Sequence, residues 1–262
     1  MALRHGGEIL VDQLKKNGVE RVFSVPGESF LAALDGLYES GIENIVCRHE
    51  GGATMMAEAD AKITNSPGVV FVTRGPGATN ASSGIHVAMQ DSTPLIVFVG
   101  QVPLEHRDRE AFQEINYESF FSSVSKWVAE IKDVKRLPEY IARAFQISQS
   151  GRPGPVILSL PEDVLSSSCE VPDRGKAVFG TQVTSGSEIK KIENAIINAK
   201  CPVIISGGSG WTKKTVKNLE KFAKNFDIPV ATTFRRQHLM DNRHNCYIGD
   251  LGTGMNPLLA NT

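Results

Sequence analysis

The sequence predicts an α/β protein: an open parallel sheet with helices on both faces, followed by a second, incomplete α/β domain. Three observations predict it. Helix-like and strand-like segments alternate along the chain. The strand-like segments are unbroken apolar, β-branched runs such as "GVVFV" and "PLIVFVG", which call for burial on both faces. Turns rich in glycine and proline cut those runs where helical patterns begin.

The elements follow in order. A helix over Glu8–Asn17 is closed by Gly18, and a strand over Arg21–Val25 is cut by Pro26-Gly27. A helix over Ser29–Ser40 ends at Gly41, and a strand over Asn44–Cys47 leads to a helix over Gly52–Thr64. Next come a strand at Val69–Thr73, a helix at about Thr79–Met89 and a strand at Leu95–Gly100. A short strand near Ser125–Ala129, a helix at Val134–Ser148 and a strand at Val156–Leu160 complete the first domain, placed at residues 1–165. Residues 166–187 read as a linker. A second βα series at 188–262 offers a helix (Glu188–Ala199), a strand (Pro202–Ser206), a helix (Lys213–Phe226) and a strand (Pro229–Thr232). Two clear strands leave an apolar edge uncovered, so the chain is expected to stop inside a domain.

Composition narrows the function classes. The 262 residues carry a net charge of −1, which gives no push toward nucleic acid or an anionic membrane. The longest apolar runs are too short to span a bilayer, and "MALRHGGEIL" has no secretion-signal pattern. Cys47, Cys169, Cys201 and Cys246 form no C-x-x-C pair and read as reduced thiols in a cytoplasmic protein.

The chemistry lies in the strand-end turns, because ligands of open parallel sheets sit beyond the carboxyl ends of the strands. In "CRHEGGATMMAEADAK", Glu50 stands where a strand ends and a helix begins. On that motif alone, a carboxylate favoured by the helix dipole is the stronger explanation. A zinc-protease H-E-x-x-H reading fails because Ala53 holds the second histidine position. "VTRGPGATN" runs a buried strand into Gly75-Pro76-Gly77 and a helix, either to admit a ligand to backbone N–H groups or as a structural turn. "VPGESF" and "VGQVP" are two further turns of this kind. Four such loops at one end of one sheet make a pocket. In the second domain, "ISGGSGW" resembles a Rossmann-like glycine turn but lacks the full fingerprint. Four lysines on one helical face (Lys213, Lys217, Lys221, Lys224) read as solvated surface, and His238, His244 and Cys246 have no standard metal spacing. No metal site is expected within the chain.

"HEGGATMMAEADAK", "VTRGPGATNASSGIHVAMQDSTPLIVFVGQVP", "AFQE" and "GRPGPVILSLPEDV", in that order, resemble the N-terminal half of acetolactate-synthase-like thiamine diphosphate enzymes, over about Gly6 to Asp163. The resemblance continues more weakly through "CPVIISGGSG". It implies that the first domain is the pyrimidine-binding domain and the second part of the central domain. It implies that Glu50 hydrogen-bonds the cofactor's pyrimidine nitrogen, shifting it to the imino tautomer that generates the ylid. That role demands a rigid, water-shielded carboxyl group. Val25, Pro26, Thr73, Pro76 and Asn80 match positions around the pyrimidine or its loops. Gln113 and Phe112 match the reaction side, with Gln113 taken as catalytic beside Glu50. Pro103 and Lys126 match the mouth of the substrate channel.

The implied reaction is decarboxylation of a 2-oxo acid such as pyruvate followed by carboligation, as in branched-chain amino acid biosynthesis. The implied partners are a small-molecule 2-oxo acid and further copies of the chain, in a dimer or tetramer through the pyrimidine-binding domain. Magnesium would belong to a diphosphate-binding domain, whose G-D-G…N motif this sequence lacks; "GDLGTGMNP" has Leu251 in place of the glycine. FAD is admitted as a second cofactor, with Arg152 and the turn Gly207, Gly208 and Ser209 as the positions that could meet it. Arg74 stands where such enzymes usually carry a small residue, and Glu28 where they usually carry glycine. Three functions follow: an enzyme portion silent by itself, a module completing a separately encoded diphosphate-binding chain, or a different carboligase or lyase of the family. A plain nucleotide-binding protein using "GGSG" stands behind these.

Overall fold

Burial on both faces is met by a six-stranded parallel sheet whose strands lie in the order Glu43–Val46, Arg21–Ser24, Gly68–Val72, Leu95–Gln101, Pro155–Pro161 and Trp127–Glu130. A computed structural model describes residues 2–178, 180 and 183–261. The first unit, Met1–Gly180, begins with β1 (Arg4–His5) and α1 (Gly6–Lys16). It continues through β2 (Arg21–Ser24), α2 (Leu31–Leu37), β3 (Glu43–Val46), α3 (Glu50–Thr64) and β4 (Gly68–Val72). Then come α4 (Pro76–Asn80), α5 (Ser82–Asp91), β5 (Leu95–Gln101), α6 (Tyr117–Phe121), β6 (Trp127–Glu130) and α7 (Leu137–Gln149). β7 (Pro155–Pro161), α8 (Glu162–Ser166) and β8 (Ser168–Cys169) close the unit.

The two-residue period of a strand sorts its side chains between two cores. Val69, Phe71, Ile96, Phe98, Val156 and Leu158 join the core formed with α1, α2 and α7. Val70, Val72, Val97, Val99 and Ile157 join the other, formed with α3, α4, α5 and α6. β4, β5 and β7 are buried along their whole length, which explains why their sequences show no polar alternation. The small residues of α3 have a steric purpose: Ala53, Ala57 and Ala61 recur at helical spacing and are buried against the sheet.

Three expectations shift. The predicted helix at 29–40 is a 3₁₀ turn (Glu28–Phe30) followed by α2, because Phe30 leaves helical geometry at φ −142° and ψ 33°. The predicted helix at 79–89 begins earlier and is divided at Ala81. The segment after Pro161, expected as linker from residue 166, continues the first unit. β8 pairs antiparallel with β1, and the Arg174 and Ala177 N–H groups donate to the side chains of Gln13 on α1 and of Asn17, its C-cap, at 2.8 and 3.0 Å.

The second unit, Thr181–Thr262, contains α9 (Gly186–Asn198), β9 (Ile204–Ser206), α10 (Lys213–Phe226), β10 (Val230–Thr233), β11 (Tyr247–Leu251) and α11 (Pro257–Ala260). Its parallel sheet has the order β11-β10-β9. The third strand, β11, lies beyond the two that the sequence pattern offers. Its five residues are all half-buried, so they lack the apolar run that marks a central strand.

Candidate cofactor-binding site

The loops after β2, β3, β4 and β5 open at the carboxyl ends of parallel strands, the geometry expected from the turns. Glu50 is the first residue of α3 and is 8% exposed. The N-cap of that helix is not Glu50. His49, in extended geometry, accepts the Gly51 N–H on Nδ1 at 3.0 Å. With the cap supplied by histidine, the Glu50 carboxyl is directed elsewhere. Its Oε2 accepts a hydrogen bond from the Asn80 side-chain amide at 3.0 Å. Asn80 closes α4, the short helix opened by Pro76, so the two motifs converge on one carboxyl group.

The Gly75–Gly77 turn is shaped by close approach. Gly75 has φ 61°, and a Cβ there would lie 2.6 Å from the Cβ of Gln113. A Cβ on Gly77 would lie 2.7 Å from Thr73 Cγ2 and 3.2 Å from Glu50 Oε1. Only glycine lets the chain pass at both points. Thr73 works like a bolt between loops: its hydroxyl bonds Ser29 Oγ at 2.8 Å, and its methyl side packs toward Gly77. Val25 donates its N–H to the Phe71 carbonyl at 3.3 Å, placing the half-buried Val25 and exposed Pro26 beside β4. Gln113 has φ 64° and lies against Gly75, while its neighbour Phe112 is 73% exposed. Pro103 begins the 3₁₀ turn after β5.

Thr73, Pro76, Asn80, Gln113 and Glu50 are thus brought together, with Val25, Pro26, Phe112 and Pro103 on neighbouring loops. Lys126 and Arg152 are not. Lys126 precedes β6 and donates to the carbonyls of Ile147 and Ser150, and burial pulls its ammonium pKa down. Arg152 precedes β7 and caps the end of α5, donating to Ser92 Oγ and the carbonyls of Met89 and Gln90. Both stand at the amino ends of their strands. In the second unit, Gly207, Gly208 (φ 75°) and Ser209 form a turn after β9, with the Gly207 carbonyl accepting from Trp211 Nε1 at 2.8 Å. The buried hydroxyl of Ser206 has no partner among the described residues.

Sequence reading missed the supports beneath the site. Gln101, fully buried at the end of β5, donates to the Ile115 carbonyl and accepts from the Val102 N–H, fixing the loop after β5. Tyr117 accepts the Gly75 N–H on its hydroxyl at 3.0 Å, and burial pushes its pKa up to about 12. A lone amide ending an apolar strand was the available signal for Gln101. Asp163 accepts the Leu104 N–H at 3.1 Å, which gives "PEDV" a physical purpose.

The fold and this shielded carboxyl group define an α/β protein with a buried acid at the carboxyl end of a parallel sheet. Residues 4–120 match the family described as thiamine pyrophosphate enzyme, N-terminal TPP binding domain, and residues 189–261 match its central domain. The chain belongs to the thiamine pyrophosphate enzyme family. It is 38% identical over 263 aligned residues to the mitochondrial acetolactate synthase of Schizosaccharomyces pombe, covering 94% of this chain and 39% of that protein. It is 33% identical to an acetolactate synthase of Bacillus subtilis, covering 88% of this chain and 40% of that protein. It is 31% identical to the acetolactate synthase isozyme 2 large subunit of Escherichia coli, covering 95% of this chain and 45% of that protein. The chain therefore spans less than half the length of these relatives. Among the described residues no helix is long and apolar enough to cross a membrane.

Proposed function

We propose that the chain is the pyrimidine-binding and partial central portion of a thiamine diphosphate-dependent 2-oxo acid decarboxylase and carboligase of the acetolactate synthase type. The single observation that carries this is Glu50: buried, freed from capping by His49, and hydrogen-bonded to Asn80. The residues fit the cofactor's aminopyrimidine, because a shielded carboxyl can share a proton with a ring nitrogen while Gly75 and Gly77 admit a flat ring close to the backbone. When bound, thiamine diphosphate supplies an electron sink beside the reacting carbonyl. Glu50 holds a proton at the ring nitrogen, Asn80 fixes the carboxyl rotamer, and Gln113 on its tethered loop faces the reacting side. The diphosphate and its magnesium would be held by residues other than those of this site, since no group of three or more His, Cys, Asp or Glu among the described residues could hold a metal.

Three finer points belong to the same proposal. FAD is a candidate for the Gly207–Ser209 turn, supported by the Ser206 hydroxyl, which has no partner among the described residues; the Arg152 side chain is engaged at the end of α5. Flavin absorbance of the purified full-length protein tests it. Assembly as a dimer or tetramer is supported by the exposed Met55, Met56 and Ile63 on α3. A cytoplasmic location is supported by the four free cysteines.

The decisive experiment is Glu50→Gln in the full-length protein. Losing a positioned proton-transfer group lowers the rate by roughly 10²–10⁴-fold, read as exchange of the cofactor's C2 proton with solvent. Exchange at the parent rate refutes the assignment. A module completing a separately encoded diphosphate-binding chain is instead favoured if activity appears only on mixing with such a chain.

A further inference from the structure

We infer that Arg74 is a positioning residue: it clamps the loop of residues 107–116 onto the Gly75–Gly77 turn and thereby sets Gln113 opposite the turn that faces Glu50. Arg74 follows Thr73 at the carboxyl end of β4 and is 8% exposed. Its three nitrogens reach three different segments: the loop at Phe112, the 3₁₀ turn at Glu28 and the first residue of α8. Nε donates to the Phe112 carbonyl at 3.2 Å, Nη2 to Glu28 at 2.7 Å, and Nη1 to Glu162. Its own N–H donates to Ser29 Oγ at 3.2 Å. Arg74 and Glu28, the two positions that depart from the expected pattern, are thus joined to each other.

The contact with Phe112 places the clamp one residue from Gln113, whose φ of 64° needs external support. Gln113 in turn packs where a Gly75 side chain would be, and Gly77 lies two residues on, against Glu50 Oε1. Elsewhere the loop is anchored by Arg107, which pairs with Glu114 at 2.5 Å and Glu130 at 3.3 Å. Glu114 also accepts the Asp108 and Ala111 N–H groups, and Gln101 holds the Ile115 carbonyl; Arg74 adds the hold on the Phe112 carbonyl. The three targets lie in different directions, so a planar fork with five donors can serve them and a lysine ammonium cannot. Two carboxylates neutralise the guanidinium, so it orients the loop and does not attract the substrate. The Glu28 side chain is 70% exposed, so that arm contributes least; Glu162 and the Phe112 carbonyl carry the clamp.

This inference rests on the thiamine reading only for what the loop faces; the clamp itself is tested without cofactor. Backbone hydrogen exchange is measured on the 262-residue chain. In Arg74→Gln, residues 107–116 exchange about tenfold faster or more, while β4, β5 and β7 keep the parent rates. Arg74→Lys, with charge but no fork, recovers less than about a third of that protection. Glu162→Gln leaves Arg74 in place and speeds the same residues by roughly threefold, and it decides the question if Arg74→Gln does not fold. Loop exchange within about twofold of the parent in both variants, or an equal rise in the three strands, overturns the inference. Glu50→Gln leaves loop exchange unchanged, so loss of C2 exchange there and loss of loop protection here fail independently.

Discussion

At the scale of single residues, Tyr117 makes the sharpest prediction. Burial raises its pKa from about 10 to about 12, so the fold favours the neutral phenol. Its contribution is complete below about pH 10 and is lost as pH climbs to about 12, a change of roughly 2–3 kcal/mol. Tyr117→Phe is expected to lose about 1–2 kcal/mol at neutral pH, because the Gly75 N–H loses its acceptor, and to show a shallower decline between pH 10 and 12. Urea unfolding at both pH values checks it; parallel declines contradict it. Gly77→Ala tests the close approach: a Cβ 2.7 Å from Thr73 and 3.2 Å from Glu50 is expected to cost about 1–3 kcal/mol and to weaken thiamine diphosphate binding in the full-length protein. Glu50 stands out in the sequence as a charged residue at the end of an apolar run, though on the motif alone a carboxylate favoured by the helix dipole is the stronger explanation. Its protection was not legible, because the capping role of His49 depends on a backbone turn that no spacing encodes.

At the scale of elements, the strands were the readable part. Residues buried on both faces must be apolar throughout, so β4, β5 and β7 announce themselves. What sequence conveyed poorly was held by distant partners. β1 and β8 pair across more than 160 residues, and the stretch beyond β8 docks on the amides of Gln13 and Asn17. β11 exists because β10 offers it a parallel edge. The α1–α2 contact gives a test at this scale. A Cβ on Gly7 would fall 1.8 Å from the Ala32 carbonyl oxygen, so Gly7→Ala forces the two helices apart. We expect a loss of about 3 kcal/mol or more in urea unfolding, with the site residues themselves untouched.

At the scale of the molecule, the two units differ in how much they bury. The first encloses cores on both sides of six strands, whereas α9 of the second has no buried residue and leaves Ile189, Ile192 and Ile197 exposed. Amides of β4, β5 and β7 should therefore exchange at least about a hundredfold more slowly than those of α9 in the intact chain, measured by mass spectrometry. The sequence pattern changes after Pro161, yet the first compact unit runs on to Gly180, because the residues that follow bind Gln13 and Asn17. The β1–β8 pairing has a further consequence. It ties the first strand of the unit to one more than 160 residues further on, as a cord draws together the neck of a purse. We expect the unit to keep its architecture when reopened at an exposed bend such as Gly41 and rejoined by a short linker near the β1–β8 pair.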